Sequence, residues 1–205
     1  MKIIGQGAEA IIYLDKKNNS VIKDRISKAY RIPELDKKII KQRTKAEEKI
    51  LEKTSKIISV PKPKNSKEFN KIIMPFINGK KLSSSLEDFS LKEQKSIMNI
   101  IGKDVAKMHE NGIIHGDLTT SNMIYVQKEK KVYFIDFGLG FQNGKIEDKG
   151  IDVHLLKQAL EAKHFSNWEI LFKEFEKAYS SINPSESKKI FERLKAIEKR
   201  GRYRN

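Results

Sequence analysis

The segment His115-Gly116-Asp117-Leu118-Thr119-Thr120-Ser121-Asn122, followed by Ile135-Asp136-Phe137-Gly138, constrains this chain more than any other feature. Asp117 and Asn122 stand five residues apart in a polar stretch, and Asp136 ends an apolar run 19 residues after Asp117. A fold that uses these residues together must bring a loop and a strand end to one point. Three side chains bearing oxygen donors, gathered there, make a hard set of the kind that suits Mg2+. Phosphoryl transfer needs such ions to bridge phosphates and a carboxylate to orient the attacking hydroxyl. A chance loop is not expected to carry both halves in this order.

The rest of the chain supplies a setting for that site. Ile3-Ile4, Ile11–Leu14 and Val21-Ile22-Lys23 read as short strands, with a glycine-rich turn after the first and a polar turn, Asp15–Ser20, after the second. The first turn, Gly5-Gln6-Gly7-Ala8-Glu9-Ala10, lets the backbone approach phosphates, although by itself it reads more readily as an ordinary hairpin turn. It is no Walker loop, because no Gly-Lys-Ser/Thr follows, and no dinucleotide-binding turn, because a strand follows it. Residues 34–54 read as a helix opened by Pro33, with Leu35, Ile39, Ala46, Ile50 and Leu51 as its apolar contacts. Apolar runs at 57–60 and 71–77 have strand length. A second long helix spans 91–111 around Ile97, Ile100, Ile101, Val105 and Met108. Runs at 123–126 and 132–135 precede helices at 150–162, 166–180 and 184–199. The expected architecture is α+β: a strand-rich part with one helix, a joint near Ile77-Asn78-Gly79, and a mostly helical part.

Composition narrows the chemistry. Cysteine is absent, which excludes disulfides, thiolate zinc sites and cysteine nucleophiles. Four scattered histidines without H-E-x-x-H spacing argue against a zinc hydrolase. No apolar stretch approaches the roughly 18 residues of a membrane span, and Met1–Gly5 is not a signal peptide, so a soluble cytoplasmic chain without membrane partners is expected. The net charge of +15 is unevenly placed. Residues 1–80 hold 20 Lys/Arg against 9 Asp/Glu, residues 81–180 hold 14 against 15, and residues 181–205 hold 8 against 3. Such asymmetry suits attraction to a polyanion, as readily as it suits lysine-rich solvated faces.

With these motifs in place, the chain resembles the protein-kinase-like superfamily over nearly its whole length. H-G-D-L-T-T-S-N is similar to a kinase catalytic loop and Asp136-Phe137-Gly138 to the metal-binding triplet. The resemblance implies Asp117 as catalytic base, Asn122 and Asp136 as Mg2+ ligands, and Lys23 as the strand lysine on the ATP phosphates. It implies Glu47 as the helix partner of Lys23, with the adjacent Glu48 as the alternative. Gly5, Gln6, Gly7, Ala8, Glu9 and Ala10 become the ATP-covering loop. Asp152 and His115 become structural supports of the catalytic loop, and His109 a core residue.

Departures from a regulated kinase matter too. Gly116 stands where an arginine would receive a phosphorylated activation loop, no Ala-Pro-Glu follows Gly138, and Thr119 replaces a lysine that neutralises the transferred phosphate. Peptide phosphorylation is therefore expected to be slow without a partner. Within the superfamily, G-Q-G-A-E-A at the start, K-x-Y-R-x-P (Lys28 to Pro33), Arg43-Thr44-x-x-Glu47 and a basic C-terminus resemble the PRPK-type atypical kinases, the small kinase subunits of the KEOPS complex. That family implies a single kinase-like domain with a small lobe at 1–77, a large lobe at 78–198 and a basic tail at 199–205. It also implies ATP and Mg2+ as cofactors. The expected activity is autophosphorylating Ser/Thr kinase and ATPase chemistry in support of threonylcarbamoyl-adenosine formation in tRNA. The partners implied are a sugar-kinase-fold threonylcarbamoyl-transferase subunit and other KEOPS subunits, with tRNA met through the complex. Candidate RNA contacts are Lys28, Arg31, Lys199, Arg200, Arg202 and Arg204. Two alternatives stand beside this reading: a small-molecule phosphotransferase of aminoglycoside- or choline-kinase type, and an RNA-binding subunit whose nucleotide site acts as a switch.

Overall fold

Three short strands rich in β-branched residues precede the first helix along the chain. β1 (Lys2–Gln6), β2 (Ala10–Asp15), β3 (Ser20–Arg25) and β4 (Lys71–Pro75) make one antiparallel sheet in the order β1-β2-β3-β4. In this computed structural model the backbone is described for residues 1–202 and the side chains for residues 1–200. The β2–β3 turn closes on Asp15, whose carboxylate accepts from the backbone N–H groups of Lys17 and Asn18 at 3.1 and 3.3 Å. The Asn19 carbonyl in the same turn accepts from the amide of Phe76, tying the hairpin to the segment that leaves β4.

Helix α1 (Pro33–Thr54) crosses this sheet with Pro33 in its first turn. Its buried face is Asp36, Ile40, Thr44, Glu47, Ile50, Leu51 and Thr54, a stripe at spacings of three and four. The expected apolar contacts were therefore only partly placed: Ile50 and Leu51 are buried, Ile39 is half-buried, and Leu35 and Ala46 face outward. Hydrophobic periodicity misread the phase because four of the seven inward residues are polar, and all but Thr54 find partners for their side chains. Thr44 donates to the Ile40 carbonyl at 2.8 Å, while Asp36 and Glu47 sit in ion pairs.

The run at 57–60 is not a strand. It follows a turn in which the amides of Ile57 and Ile58 return to the Thr54 carbonyl, and it buries Ile58 and Val60 in the core without entering a sheet. Its backbone link to a strand among the described residues is the Ser59 carbonyl, accepting from the Phe134 amide at 3.0 Å.

The second half is mostly helical. α2 (Leu82–Ser85) and a 3-10 turn (Leu86–Asp88) lead to α3 (Leu91–Glu110), which opens on Ser90; the Ser90 hydroxyl accepts from the Glu93 amide. β5 (Lys80–Lys81) pairs with β7 (Met123–Val126) and β7 with β8 (Lys131–Phe134), while β6 (Ile113–Ile114) pairs with β9 (Phe141–Gln142). α4 (Ile146–Lys163) starts four residues before its expected position, α5 spans Trp168–Ser180, and α6 (Pro184–Arg202) carries the helix three residues past its expected end. The first four residues of the basic segment at 199–205 thus continue α6. Gly102 lets α3 and α5 touch: a Cβ there would lie 2.6 Å from the Phe175 carbonyl oxygen and 2.8 Å from the Ala178 Cβ. Ion pairs Lys149–Glu186 at 2.5 Å and Lys157–Glu198 at 2.6 Å fasten α6 to α4.

A single hydrophobic cluster runs from Ile50, Leu51 and Ile72 below the first sheet through α3 to Ile190 and Leu194 of α6. Among the described residues no helix is long and apolar enough to cross a membrane. The architecture is the α+β, kinase-like one that the sequence leads one to expect.

Candidate active site

Between the first sheet and the β7–β8 hairpin lies a cleft of about 300 Å3. Its apolar walls include Ile4, Ile12 and Val21 from the sheet, Met74 from β4, and Ile124 and Ile135 from the opposite side. Its polar end holds Lys23, Glu47, Asn122 and Asp136. Such a slot, apolar along its walls and charged at one end, suits a flat heterocycle bearing phosphates.

Strand alternation turns Lys23 inward from β3, where Glu47 meets it from α1. The Lys23 ammonium donates to Glu47 Oε1 at 2.6 Å and to Asp136 Oδ1 at 2.7 Å. Glu48, the alternative partner, is half-buried off this contact, and burial together with Glu52 and Glu47 pushes its carboxyl up. Burial alone would raise the Asp136 carboxyl, but the Lys23 ammonium outweighs it and holds Asp136 below the usual range. Asp136 has φ +62°, a left-handed backbone that costs a non-glycine residue about 1 kcal/mol or more. The surrounding loop maintains it, which turns the carboxylate into the cleft.

The loop 115–122 presents Asp117 and Asn122 together. Asn122 Nδ2 donates to Asp117 Oδ2 at 2.8 Å and to the Asp117 carbonyl at 3.0 Å. With its amide nitrogen so used, Asn122 keeps its side-chain oxygen as a free donor to a cation. Among the described residues no group of three His, Cys, Asp or Glu gathers into a metal cage. The Asn122 amide oxygen and the Asp136 carboxylate, both on the cleft, fit a Mg2+ that completes its shell with water and phosphate oxygens.

The supports lie beneath. Asp152 of α4, fully buried, accepts the amides of His115 at 2.7 Å and Gly116 at 2.9 Å, and contacts His109 Nε2 at 3.3 Å. His109 Nδ1 in turn meets the Tyr179 hydroxyl at 2.8 Å in the core. His115 Nε2 faces the Ile135 carbonyl at 3.1 Å and its Nδ1 faces the Asp117 amide at 3.3 Å. A carbonyl only accepts and an amide only donates, so this network assigns the ring as neutral with its proton on Nε2. Burial pushes the His115 pKa down, in the same direction.

Gly116 has φ +79°, and a Cβ there would lie 2.4 Å from the Leu139 carbonyl oxygen. An arginine at this position is excluded by backbone shape before any question of regulation arises. Gly116→Ala is expected to lower stability by about 2–4 kcal/mol, since left-handed strain and overpacking add. Urea denaturation checks it; a variant as stable as the parent would contradict the geometry.

Sequence reasoning missed two contributors. Arg25, two residues beyond Lys23, shares its inward face and donates to Glu47 Oε2 at 2.6 Å; the period-two spacing was the available signal. His164, at the end of α4, meets the Thr120 hydroxyl of the loop at 3.2 Å across 44 residues of sequence, and no local pattern announces it.

Other expected residues are placed differently. Gly5 lines the cleft, and Gln6, Gly7 and Ala8 form an exposed hairpin tip. Glu9 turns to Arg25 and Arg43, and Ala10 is buried. Lys28 donates its ammonium to the Ala8 carbonyl, and Arg31 pairs with Asp36 at 3.1 Å, so both basic groups are engaged within the fold. Lys199 is exposed and Arg200 pairs with Glu147 at 3.0 Å. The side chain of Arg202 and the whole of Arg204 lie outside the described residues.

Burial also lowers the His164 pKa. His115 and His164 therefore refuse protons that the unfolded chain accepts, so their contribution is whole above about pH 6.5 and is lost as pH falls below it. Denaturation curves at stepped pH should show stability declining from pH 7 to 5, with a slope of at most about 1.4 kcal/mol per pH unit for each histidine. A flat profile over that range would exclude the buried neutral rings.

A sheet lysine paired with a helix glutamate, facing a loop Asp–Asn pair and an aspartate at a strand end, defines a protein-kinase-like site. Residues 11–145 match the RIO domain. Over its whole length the chain is 43% identical to the KEOPS complex subunit Bud32 of Pyrococcus abyssi, covering 97% of that protein. It is 39% identical, over 90% of its length, to a probable serine/threonine-protein kinase BUD32 homolog of Archaeoglobus fulgidus, of which it covers 89%. It is also 36% identical, over 98% of its length, to a probable bifunctional tRNA threonylcarbamoyladenosine biosynthesis protein of Methanosarcina mazei, and it spans 36% of that longer chain. The chain belongs to the RIO-domain family of atypical kinases, in its Bud32 group.

Proposed function

We propose that the chain is an ATP- and Mg2+-dependent atypical Ser/Thr kinase and ATPase that supports threonylcarbamoyl-adenosine formation in tRNA as part of a KEOPS-type assembly. The observation that carries the reading is Lys23, held at 2.6 Å from Glu47 and 2.7 Å from Asp136 at the polar end of an otherwise apolar cleft. A small lobe at 1–77 and a large lobe at 78–198 close on the nucleotide between them. Gly5 and the hairpin that follows cover the phosphates, and Lys23 orients the α- and β-phosphates.

Asp117 accepts the proton of the attacking hydroxyl or water, with its carboxylate aimed by Asn122. When bound, Mg2+ neutralises phosphate charge, held by Asn122 and Asp136. His115 and Asp152 keep the loop in place. Thr119 offers no cation to the transferred phosphate, which suits slow phosphotransfer to peptides and hydrolysis paced by a partner.

That partner, in this reading, is a sugar-kinase-fold threonylcarbamoyl-transferase, which places the chain in the cytoplasm with tRNA met through the complex. Among the described residues, Lys199 and the largely exposed Arg200, on the last turns of α6, are the candidates for phosphate contact on the outer surface. ATP turnover measured with Mg2+ and with EDTA, alone and with the partner and tRNA, tests the reading. Metal-dependent hydrolysis that rises with both additions is expected. Absence of saturable Mg-ATP turnover in every combination would overturn it.

A further inference from the structure

Six charged side chains run in alternating sign from the outside of α1 to the cleft: Arg43, Glu9, Arg25, Glu47, Lys23 and Asp136. Arg43 pairs with Glu9, Glu9 with Arg25 at 3.3 Å, Arg25 with Glu47 at 2.6 Å, Glu47 with Lys23 at 2.6 Å, and Lys23 with Asp136 at 2.7 Å. Each of the two glutamates holds two cations, and Arg25 is the cation they share. Its side chain is only 4% exposed, with Nη1 toward Glu9 and Nη2 toward Glu47, while the buried Nε has no partner among the described residues.

Stability does not account for this arrangement. Desolvating a guanidinium and a carboxylate offsets most of their attraction, and apolar side chains of equal volume commonly pack as well. What the planar fork supplies is direction. With Arg25 on Oε2, Glu47 presents Oε1 to Lys23 and cannot rotate away. With Arg25 and Arg43 both on Glu9, the tip of the β1–β2 hairpin is fastened to α1. The Lys28 ammonium adds a tie to the Ala8 carbonyl. Arg43 keeps the Glu9 carboxyl ionised, holding it below the usual carboxylate range.

We propose that Arg25 is a positioning residue of the phosphotransfer site, orienting Glu47 and thereby Lys23, and joining the glycine-rich hairpin to α1 through Glu9 so that lysine and hairpin lie over the phosphates as one body. The proposal rests on the cleft being the Mg-ATP site.

The test compares wild type with Arg25→Met, Arg25→Lys and Glu9→Gln, by nucleotide titration and steady-state ATP turnover alongside thermal melts. Arg25→Met is expected to raise the Kd and KM for Mg-ATP about tenfold or more, in the range of couplings between contacting residues. Arg25→Lys should restore part of the loss, since one ammonium satisfies one carboxylate but does not span two. Glu9→Gln, whose side chain is 41% exposed and tolerates change, should raise the Kd about threefold. Because Arg25 acts partly through Lys23 and partly through Glu9, adding Arg25→Met to Lys23→Met should cost only about the threefold share that passes through Glu9, less than its cost in wild type. A lower melting temperature with wild-type Kd, KM and kcat in Arg25→Met would overturn the proposal as merely structural. If Arg25→Met does not fold, wild-type Kd in both Arg25→Lys and Glu9→Gln overturns it equally. Failure of wild type to bind Mg-ATP overturns the cleft reading itself, and shows before any variant is measured.

Discussion

Asp117→Ala and Asp136→Ala are each expected to reduce ATP turnover by about a thousandfold or more, with the fold intact. In the proposed mechanism the two losses have different origins. Removing Asp117 takes away the carboxylate that receives the proton, and leaves the Asn122 amide with the Asp117 carbonyl as its remaining partner at 3.0 Å. Removing Asp136 takes away a metal donor and one of the two carboxylates on Lys23, although Glu47 at 2.6 Å still holds the ammonium. Asp136 is exposed to the cleft, so its deletion leaves no cavity in the core. Both variants should therefore melt within a few degrees of the parent. ATP affinity separates them: Asp117→Ala should bind Mg-ATP as wild type does, whereas Asp136→Ala should bind it more weakly. Undiminished turnover in both would remove the site assignment.

Asp152→Ala is expected to be strongly destabilising, at about 3–5 kcal/mol. No solvent reaches Asp152 to replace it. Its two oxygens serve the amides of His115 and Gly116 and the ring of His109, and all three would lose their partner at once. Asp152→Asn keeps one accepting oxygen but turns an amide N–H toward a backbone donor, so it should recover only part of the loss. Urea denaturation, read at constant m-value, measures both. The loop 115–122 hangs from these bonds, so turnover should fall with stability even though Asp152 touches no substrate. A loss below about 1 kcal/mol for Asp152→Ala would mean that the loop is held elsewhere.

Local chemistry made much of the site legible. Asp117, Asn122 and Asp136 were readable because a loop and strand end bearing hard oxygen donors are rare in that order. Lys23 and Glu47 were readable through the motifs around them, and the lysine on a strand and glutamate on a helix do meet at 2.6 Å. Gly116 was noticed as a missing arginine, but the φ of +79° and the Leu139 carbonyl that make glycine obligatory there are not sequence properties. Leu35 and Ala46 were misplaced for a related reason. α1 buries Asp36, Thr44 and Glu47 because each finds a partner, and a hydrophobicity pattern contains no partners.

Glu9 and Arg25 mark the boundary most clearly. The residue types, their order and the period-two spacing from Lys23 to Arg25 are in the sequence, which determined by itself a kinase-like α+β chain with its acidic loop and its basic first part. Only the tertiary structure decided that Glu9 turns from the phosphate side toward α1, that Lys28 and Arg31 are used within the fold, and that Arg25 stands between two glutamates. The physical reason is that a charge's role depends on which opposite charge lies within a few ångströms of it. Pairing across 16, 22 or 113 residues is set by how strand, helix and loop pack, after the chain has folded.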